Sequence, residues 1–275
     1  MKIIGIGDHG AAVLSHLIRD PDILDICYCI DHANPSQLSL PVGHHIPVVK
    51  RTSSYLLCRQ MEKLATGVQM ILVVSGLQDG DDRRAAQLCR IAHEQGALTI
   101  AFISTTEETK IGCEKQIQRN LRQIYQYSDS CIILTDQNKN RTSCEKLMVQ
   151  GVRALYELLA NPLYINVDYA DLCTVMGRQK HAFIKTGHGY GENRCEEAVQ
   201  EAAVSDFIDV SLSKLSQAIV HIAGDPSLTL DEVNHVLELL KDEAGKELDI
   251  IFGMVIDEHL ENEMIVTILA AGNEC

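Results

Sequence analysis

Gly5-Ile-Gly7-Asp-His-Gly10 follows the apolar run Lys2–Gly7 and opens a helical pattern, which is the context a G-x-G-x-x-G spacing requires. Glycines there let the chain turn tightly and bring backbone N–H groups and a helix N-terminus to a phosphate. Asp31 stands at the end of the second apolar run, where a dinucleotide fold places the carboxylate that holds a ribose. These four residues fit an NAD-type protein; they also fit a tight strand-to-helix turn with Asp31 as a turn residue. A second stretch reads Ser75-Gly76-Leu77-Gln78-Asp79-Gly80-Asp81-Asp82-Arg83-Arg84. Its aspartates could gather with Asp8 around a hard cation, which carboxylates favour. Arg83 and Arg84 could instead contact a phosphate, or the stretch is a solvated acidic loop capping the next helix. Asp168 and Asp171, three apart at a helix start, can face the same way and stay charged. The same spacing also serves a cap with its reciprocal partner.

The elements that must position these residues are legible as a period. Lys2–Gly7, Ile26–Ile30, Met70–Val74, Ala97–Ile103 and Cys131–Leu134 are short apolar strands. Helical patterns at Ala11–Arg19, Ser54–Leu64, Asp82–Gln95 and Ile111–Tyr127 lie between them. Buried strands alternating with helices predict a parallel sheet covered on both faces, with ligands at the carboxyl ends of its strands. A long helix over Cys144–Ala160, with Leu147, Gly151, Ala154, Leu155, Leu158 and Leu159 on one face, ends at Asn161-Pro162. Beyond a second short helix the pattern changes. Ala182–Lys185, Leu215–Ile222, Ile250–Ile256 and Met264–Ala270 predict strands of a separate sheet, with helices near Glu192–Val204 and Leu230–Ala244.

Composition narrows the function classes. The 275 residues are 46% hydrophobic and 23% charged, a globular balance. No uncharged apolar run reaches the roughly 18 residues of a membrane helix, and no signal-peptide core is present, so a cytoplasmic protein is expected. The ten cysteines are scattered without a C-x-x-C pair and read as buried reduced thiols, so no metal ligands are assigned. Net charge is −14, and residues 163–275, with 7 Lys/Arg and 21 Asp/Glu, carry all of it. A part this acidic repels phosphate backbones, which excludes nucleic acid as the expected partner. His44-His45 read as a turn and His188 as a surface residue.

Asn166-Val-Asp168-Tyr-Ala-Asp171, within INVDYADLCTVM, resembles the synergy-loop motif of FtsZ, the bacterial tubulin homologue. GHGYGENRCEEAVQEAA resembles the glycine-rich segment opening the second FtsZ domain. HIAGDPSLTLDEVNHVLELL and IIFGMVIDEHLENEMIVTILAAG resemble its remaining helix and strand pair. The likeness is dense from about residue 152 to 272 and thins earlier to the opening strand, MILVVSG and GALTI. On these motifs, in this order, the chain is identified as a member of the FtsZ/tubulin superfamily. The resemblance implies an α/β, tubulin/FtsZ-like two-domain fold. Its parts would be a Rossmann-like parallel-sheet domain over 1–143, a central helix over 144–162 and a smaller α+β domain over 163–275. It further implies a cell-division or cytoskeletal assembly protein that pairs with itself or with an authentic FtsZ. Asn166, Asp168 and Asp171 would then act in trans, polarising a water against the terminal phosphate of a neighbour's nucleotide.

The departures fall on the chain's own nucleotide site, which the resemblance would build from Gly5, Gly7, Gly10, Asp31, Gly76 and Gly80. FtsZ proteins carry GGGTGTG after the strand that MILVVSG resembles; here SGLQDGDDRR stands there, and Asp8 and His9 replace glycines of the first loop. Ser104–Lys110, reading STTEETK, stands where the family has a proline, a glutamate and an arginine for sugar and phosphates, and Glu145 stands for its guanine-reading asparagine. A carboxylate about 4 Å from a phosphate charge costs roughly 4 kcal/mol at an effective dielectric near 20. This argues against ordinary GTP or GDP binding, leaves the cofactor unknown, and gives magnesium a role only where a nucleotide binds. The expected protein self-associates or caps and modulates FtsZ filaments. An active FtsZ-like GTPase with an atypical phosphate loop and an NAD-type protein stay open as alternatives. Only Gly272-Asn-Glu-Cys275 follows the last apolar run, so no tether-binding peptide, and no membrane contact through one, is expected.

Overall fold

A computed structural model describes residues 1–31, 40, 41, 43–48, 53–77, 80–106, 115–136, 141–160, 165, 167–177, 179–203, 211–245 and 248–272. The chain divides into two compact units, Met1–Val149 and Gln150–Cys275.

In the first unit, β1 (Lys2–Ile6) runs directly into α1 (Gly7–Leu17), and a short α2 (Pro21–Leu24) leads to β2 (Cys27–Asp31) and β3 (His45–Pro47). Then come α3 (Ser54–Ala65), β4 (Met70–Gly76), α4 (Asp81–Glu94), β5 (Leu98–Thr106), α5 (Lys115–Tyr127) and β6 (Ser130–Asp136). All pairings in this unit are parallel, in the order β3-β2-β1-β4-β5-β6. Every residue of β4 is buried, the signature of a strand covered on both faces. Ile4, Ile6, Ile71, Val73, Ala101 and Ile103 join Leu88, Cys89 and Ile124 from the helices in one core. The chain order reverses between β1 and β4, so the rule for open parallel sheets places the ligand crevice at the carboxyl ends of those two strands.

Helix α6 (Arg141–Ala160) starts before the expected Cys144, and its second half belongs to the second unit. Among its described residues Cys144, Met148, Gly151, Val152, Leu155 and Leu158 are buried, while Leu147, Ala154 and Leu159 are only half-buried. The buried stripe is therefore turned from the one expected. The second unit continues with α7 (Tyr169–Met176), β7 (Lys180–Tyr190), α8 (Arg194–Ala203), β8 (Gln217–Gly224), α9 (Leu230–Ala244), β9 (Asp249–Ile256) and β10 (Glu263–Gly272). The order β7-β10-β8-β9 combines two antiparallel pairings with a parallel β8–β9 pair. β7 runs well past the expected Lys185, because Gly187 and Gly189 continue the strand where α8 lies close against it. A Cβ on either glycine would collide with α8 backbone.

Candidate functional site

The crevice at the β1–β4 switch point is built by glycines and then filled by side chains. Gly5 and Gly10 face each other: a Cβ on Gly5 would lie 2.7 Å from the Gly10 oxygen, and one on Gly10 2.6 Å from the Gly5 carbonyl carbon. Their smallness lets α1 cross the strand ends, which is a packing role. Gly7 has φ +68°, the left-handed turn that sends β1 straight into α1. A Cβ there would run into the carboxylate of Asp81, which reaches across from the first turn of α4. Asp81 is buried and ion-paired with Arg84 one turn on. An anion beside the N-terminus of a helix is favoured by the helix dipole, and here the chain supplies its own at α1.

His9 fills the neighbouring space. A Cβ on Gly76, at the end of β4, would come within 2.7 Å of His9 Cδ2, and His9 Nδ1 lies 3.1 Å from Ser104 Oγ on β5. The ring thus spans the carboxyl ends of two strands. Asp82 turns away from Asp81: its Oδ2 accepts a 2.8 Å bond from Asn120 Nδ2 of α5, and both residues are buried. Asp8 is exposed on α1 and Asp79 lies outside the described residues. Asp8, Asp81 and Asp82 therefore do not converge, and among the described residues no three His, Cys, Asp or Glu are grouped to hold a metal. Nor are Asp81 and Asp82 a solvated loop. Arg84, offered by the sequence as a phosphate contact, is engaged by Asp81, while Arg83 is exposed. Gly80 ends the turn at φ +80° with open space around it. Asp31 closes β2 in register with Pro47; its side chain lies outside the described residues. Glu145 is half-buried on α6.

In the second unit, Ile165 makes an antiparallel bridge with Met254, exchanging two 3.2 Å backbone hydrogen bonds. This ties the segment to β9, buries Val167 and presents Asp168, exposed, at the N-cap of α7. Asp171 N–H donates to Asp168 Oδ1 at 2.8 Å and Asp168 N–H to Asp171 Oδ2 at 3.0 Å, a reciprocal capping box. One oxygen of each carboxylate remains without a protein partner among the described residues, so capping and solvent-facing charge coexist. Asn166 lies outside the described residues.

Comparison with known proteins agrees with this architecture. The C-terminal domain of the FtsZ family matches residues 180–274. The cell division protein FtsZ of Mycoplasmopsis pulmonis is 29% identical over 255 residues, covering 88% of this chain and 65% of that protein. The chain is similar to FtsZ over most of its length, and residues 180–274 match the FtsZ family's C-terminal domain. An FtsZ variant from M. jannaschii superposes with a TM-score of 0.83 at 22% identity, covering 99% of this chain and 90% of that one. An empty FtsZ dimer of the same organism gives 0.79 at 22% identity, covering 98% and 88%. The α/β FtsZ-like fold expected from the motifs is the fold observed. The chain spans 65% of the length of the FtsZ relative it matches. No helix among the described residues is long and apolar enough to cross a membrane.

In the sequence His9 replaced a glycine of the first loop with nothing to show its ring over Gly76, and His188 read as a surface residue. His188 is half-buried, with Nδ1 3.0 Å from Glu263 Oε1 across the β7–β10 pair. Its place in the alternating register of β7 was the available signal.

Proposed function

We propose that this chain is an FtsZ-like assembly subunit whose own nucleotide crevice is closed by its own side chains. In this reading it offers Asp168 and Asp171, with Asn166, to the nucleotide of a neighbouring subunit, a second copy or an authentic FtsZ. The observation that carries the reading is the Asp81 carboxylate seated against Gly7 at the start of α1 and paired with Arg84. A phosphate entering there would have to displace that carboxylate from the space beside Gly7 and break its pair with Arg84. His9 over Gly76 withdraws the bare backbone that a phosphate loop would present.

Asp168 and Asp171 can do what the superfamily asks of a neighbour's carboxylates. Each keeps an oxygen free to accept a hydrogen bond from water, and that polarises the water as a nucleophile. The capping box fixes their spacing, so a neighbour meets a rigid pair.

The test is bound-ligand chemistry. Protein purified without added nucleotide and then denatured should release far less than one equivalent of GTP or GDP. The double variant Asp81→Asn/His9→Gly should bind GDP at least tenfold more tightly than the parent by calorimetry. Stoichiometric guanine nucleotide from the parent protein would overturn the proposal.

A further inference from the structure

Three helices cover one face of the first sheet. Met61 of α3, Leu88 of α4 and Ile124 of α5 share one core with Ile4, Ile71 and Val73 of the strands. α4 lies between its two neighbours and packs against both, so the outer sides of the three form one surface. That surface carries a sign opposite to the chain's net charge of −14. Lys115, Arg119 and Arg122 are exposed on α5 at i, i+4 and i+7, one stripe opposite the buried Asn120 and Ile124. Arg83 and Arg90, seven apart on α4, are exposed as well, and α3 adds Arg59 and Lys63. The exposed carboxylates of the three helices are Glu62 and Glu94, and Glu94 is engaged by Arg90 at 3.1 Å.

Arg83, Lys115, Arg119 and Arg122 have no ion pair among the described residues. Like charges one turn apart destabilise a helix, so helix stability does not account for the stripe. An apolar pair stands beside it: Tyr55 and Leu56, in the first turn of α3, are 65% and 57% exposed. Each of the three helices connects parallel strands and so starts near their carboxyl ends. Tyr55, Leu56, Arg83 and Lys115 therefore fall along one edge of the face. Arg59 Cζ lies 5.8 Å from the centre of the Tyr55 ring, so cation and aromatic adjoin. An acidic protein or a nucleic acid would answer the charges and leave Leu56 in water. A lipid surface answers both. Anionic headgroups take the cations, and an aromatic ring with an aliphatic neighbour sits at the acyl boundary.

We propose that the α3–α4–α5 face docks on an anionic lipid surface, its arginines and lysines at the headgroups and Tyr55 and Leu56 inserted among them. The contact is peripheral and reversible. Each basic side chain near an anionic leaflet raises partitioning about fivefold, and salt screens that gain. The inference rests on the first unit alone and is independent of the closed crevice at Gly7.

Flotation of the full chain with vesicles tests it, using phosphatidylcholine alone and phosphatidylcholine mixed equally with phosphatidylglycerol. At about 0.05 M salt the chain should float with the mixed vesicles and not with the neutral ones, and about 0.5 M salt should release most of it. Arg119→Glu/Arg122→Glu should weaken binding about twentyfold or more. Lys214→Glu/Lys241→Glu changes the net charge equally on exposed residues of the second unit and should leave binding within about twofold. Tyr55→Ser/Leu56→Ser should weaken it about threefold or more, a loss that a purely electrostatic contact would not show. Circular dichroism checks that each variant folds, and the lipid and salt comparisons on the parent protein decide where one does not. Equal flotation with both lipids, none with the mixed vesicles, or insensitivity to the arginine or the Tyr55/Leu56 variant would overturn the proposal. So would an equal loss in the second-unit variant. Salt-labile self-association in sedimentation, abolished by the arginine variant and seen without flotation, would give the face to a second copy and overturn it too.

Discussion

His221 couples the second unit's stability to pH. It sits on β8 between Thr267 of β10 and Gly253 of β9, and burial alone pushes its pKa down to about 4. An unfolded chain protonates the same ring near 6.5. Between these values the unfolded state holds the extra proton, so stability rises with pH from about 4 to 6.5 and is lost on acidification through that window. The full difference is on the order of 3 kcal/mol. Urea denaturation at pH 7 and at pH 4.5 should show His221→Leu removing most of that fall, and an unchanged fall would show that other groups carry it. Single residues were the least legible level of this protein. Asp81 and Arg84 stood in the sequence as two separate possibilities, a cation ligand and a phosphate contact. The structure pairs them, because residues three apart share a helix face and neutralise each other before any ligand arrives.

At the scale of elements, the motifs that resemble the superfamily are held together by one buried arginine. Arg194, at the start of α8, donates through Nε to Glu232 Oε1 at 2.7 Å and through Nη2 to Glu232 Oε2 at 2.9 Å. It also reaches Asp225 Oδ1 at 3.3 Å and Ser227 Oγ at 3.2 Å. The GENR and GDPSLTLDE stretches are thus two halves of one staple joining α8 to the turn before α9. Hydrogen bonds from Ser227 first of all, with those from Asn262 and Arg194, hold the Asp225 pKa down at about 2. Arg194→Met leaves Asp225 and Glu232 without their counter-charge and should cost about 3–5 kcal/mol, read as a lower urea midpoint; a loss under 1 kcal/mol would mean the staple is ornamental. Strand and helix order was legible from apolar periodicity, since alternation of short buried runs with amphipathic stretches survives divergence. The buried face of α6 was not. Its buried and half-buried residues form no sharp apolar stripe, so Leu147, Ala154 and Leu159 lie half-buried where a core face was expected.

For the whole molecule, the fold was readable and the chemistry only half so. Asn166, Asp168 and Asp171 sit in a motif, whereas the closure of the crevice depends on Asp81 and His9 meeting Gly7 and Gly76 in space. The proposed asymmetry predicts behaviour in mixtures. Added at low ratio to a polymerising FtsZ, the protein should shorten filaments as seen by electron microscopy. Asp168→Ala should weaken any stimulation of the partner's phosphate release without lowering its own melting temperature. Unchanged filament lengths at equal concentrations would remove the capping role.

The Asp81 carboxylate belongs to the same covalent chain as the α1 terminus it occupies. A tethered occupant keeps a local concentration of millimolar order or higher however far the sample is diluted. Dialysis, which strips a freely exchanging ligand, therefore cannot empty this crevice, and a soluble competitor has to win against an opponent that never diffuses away.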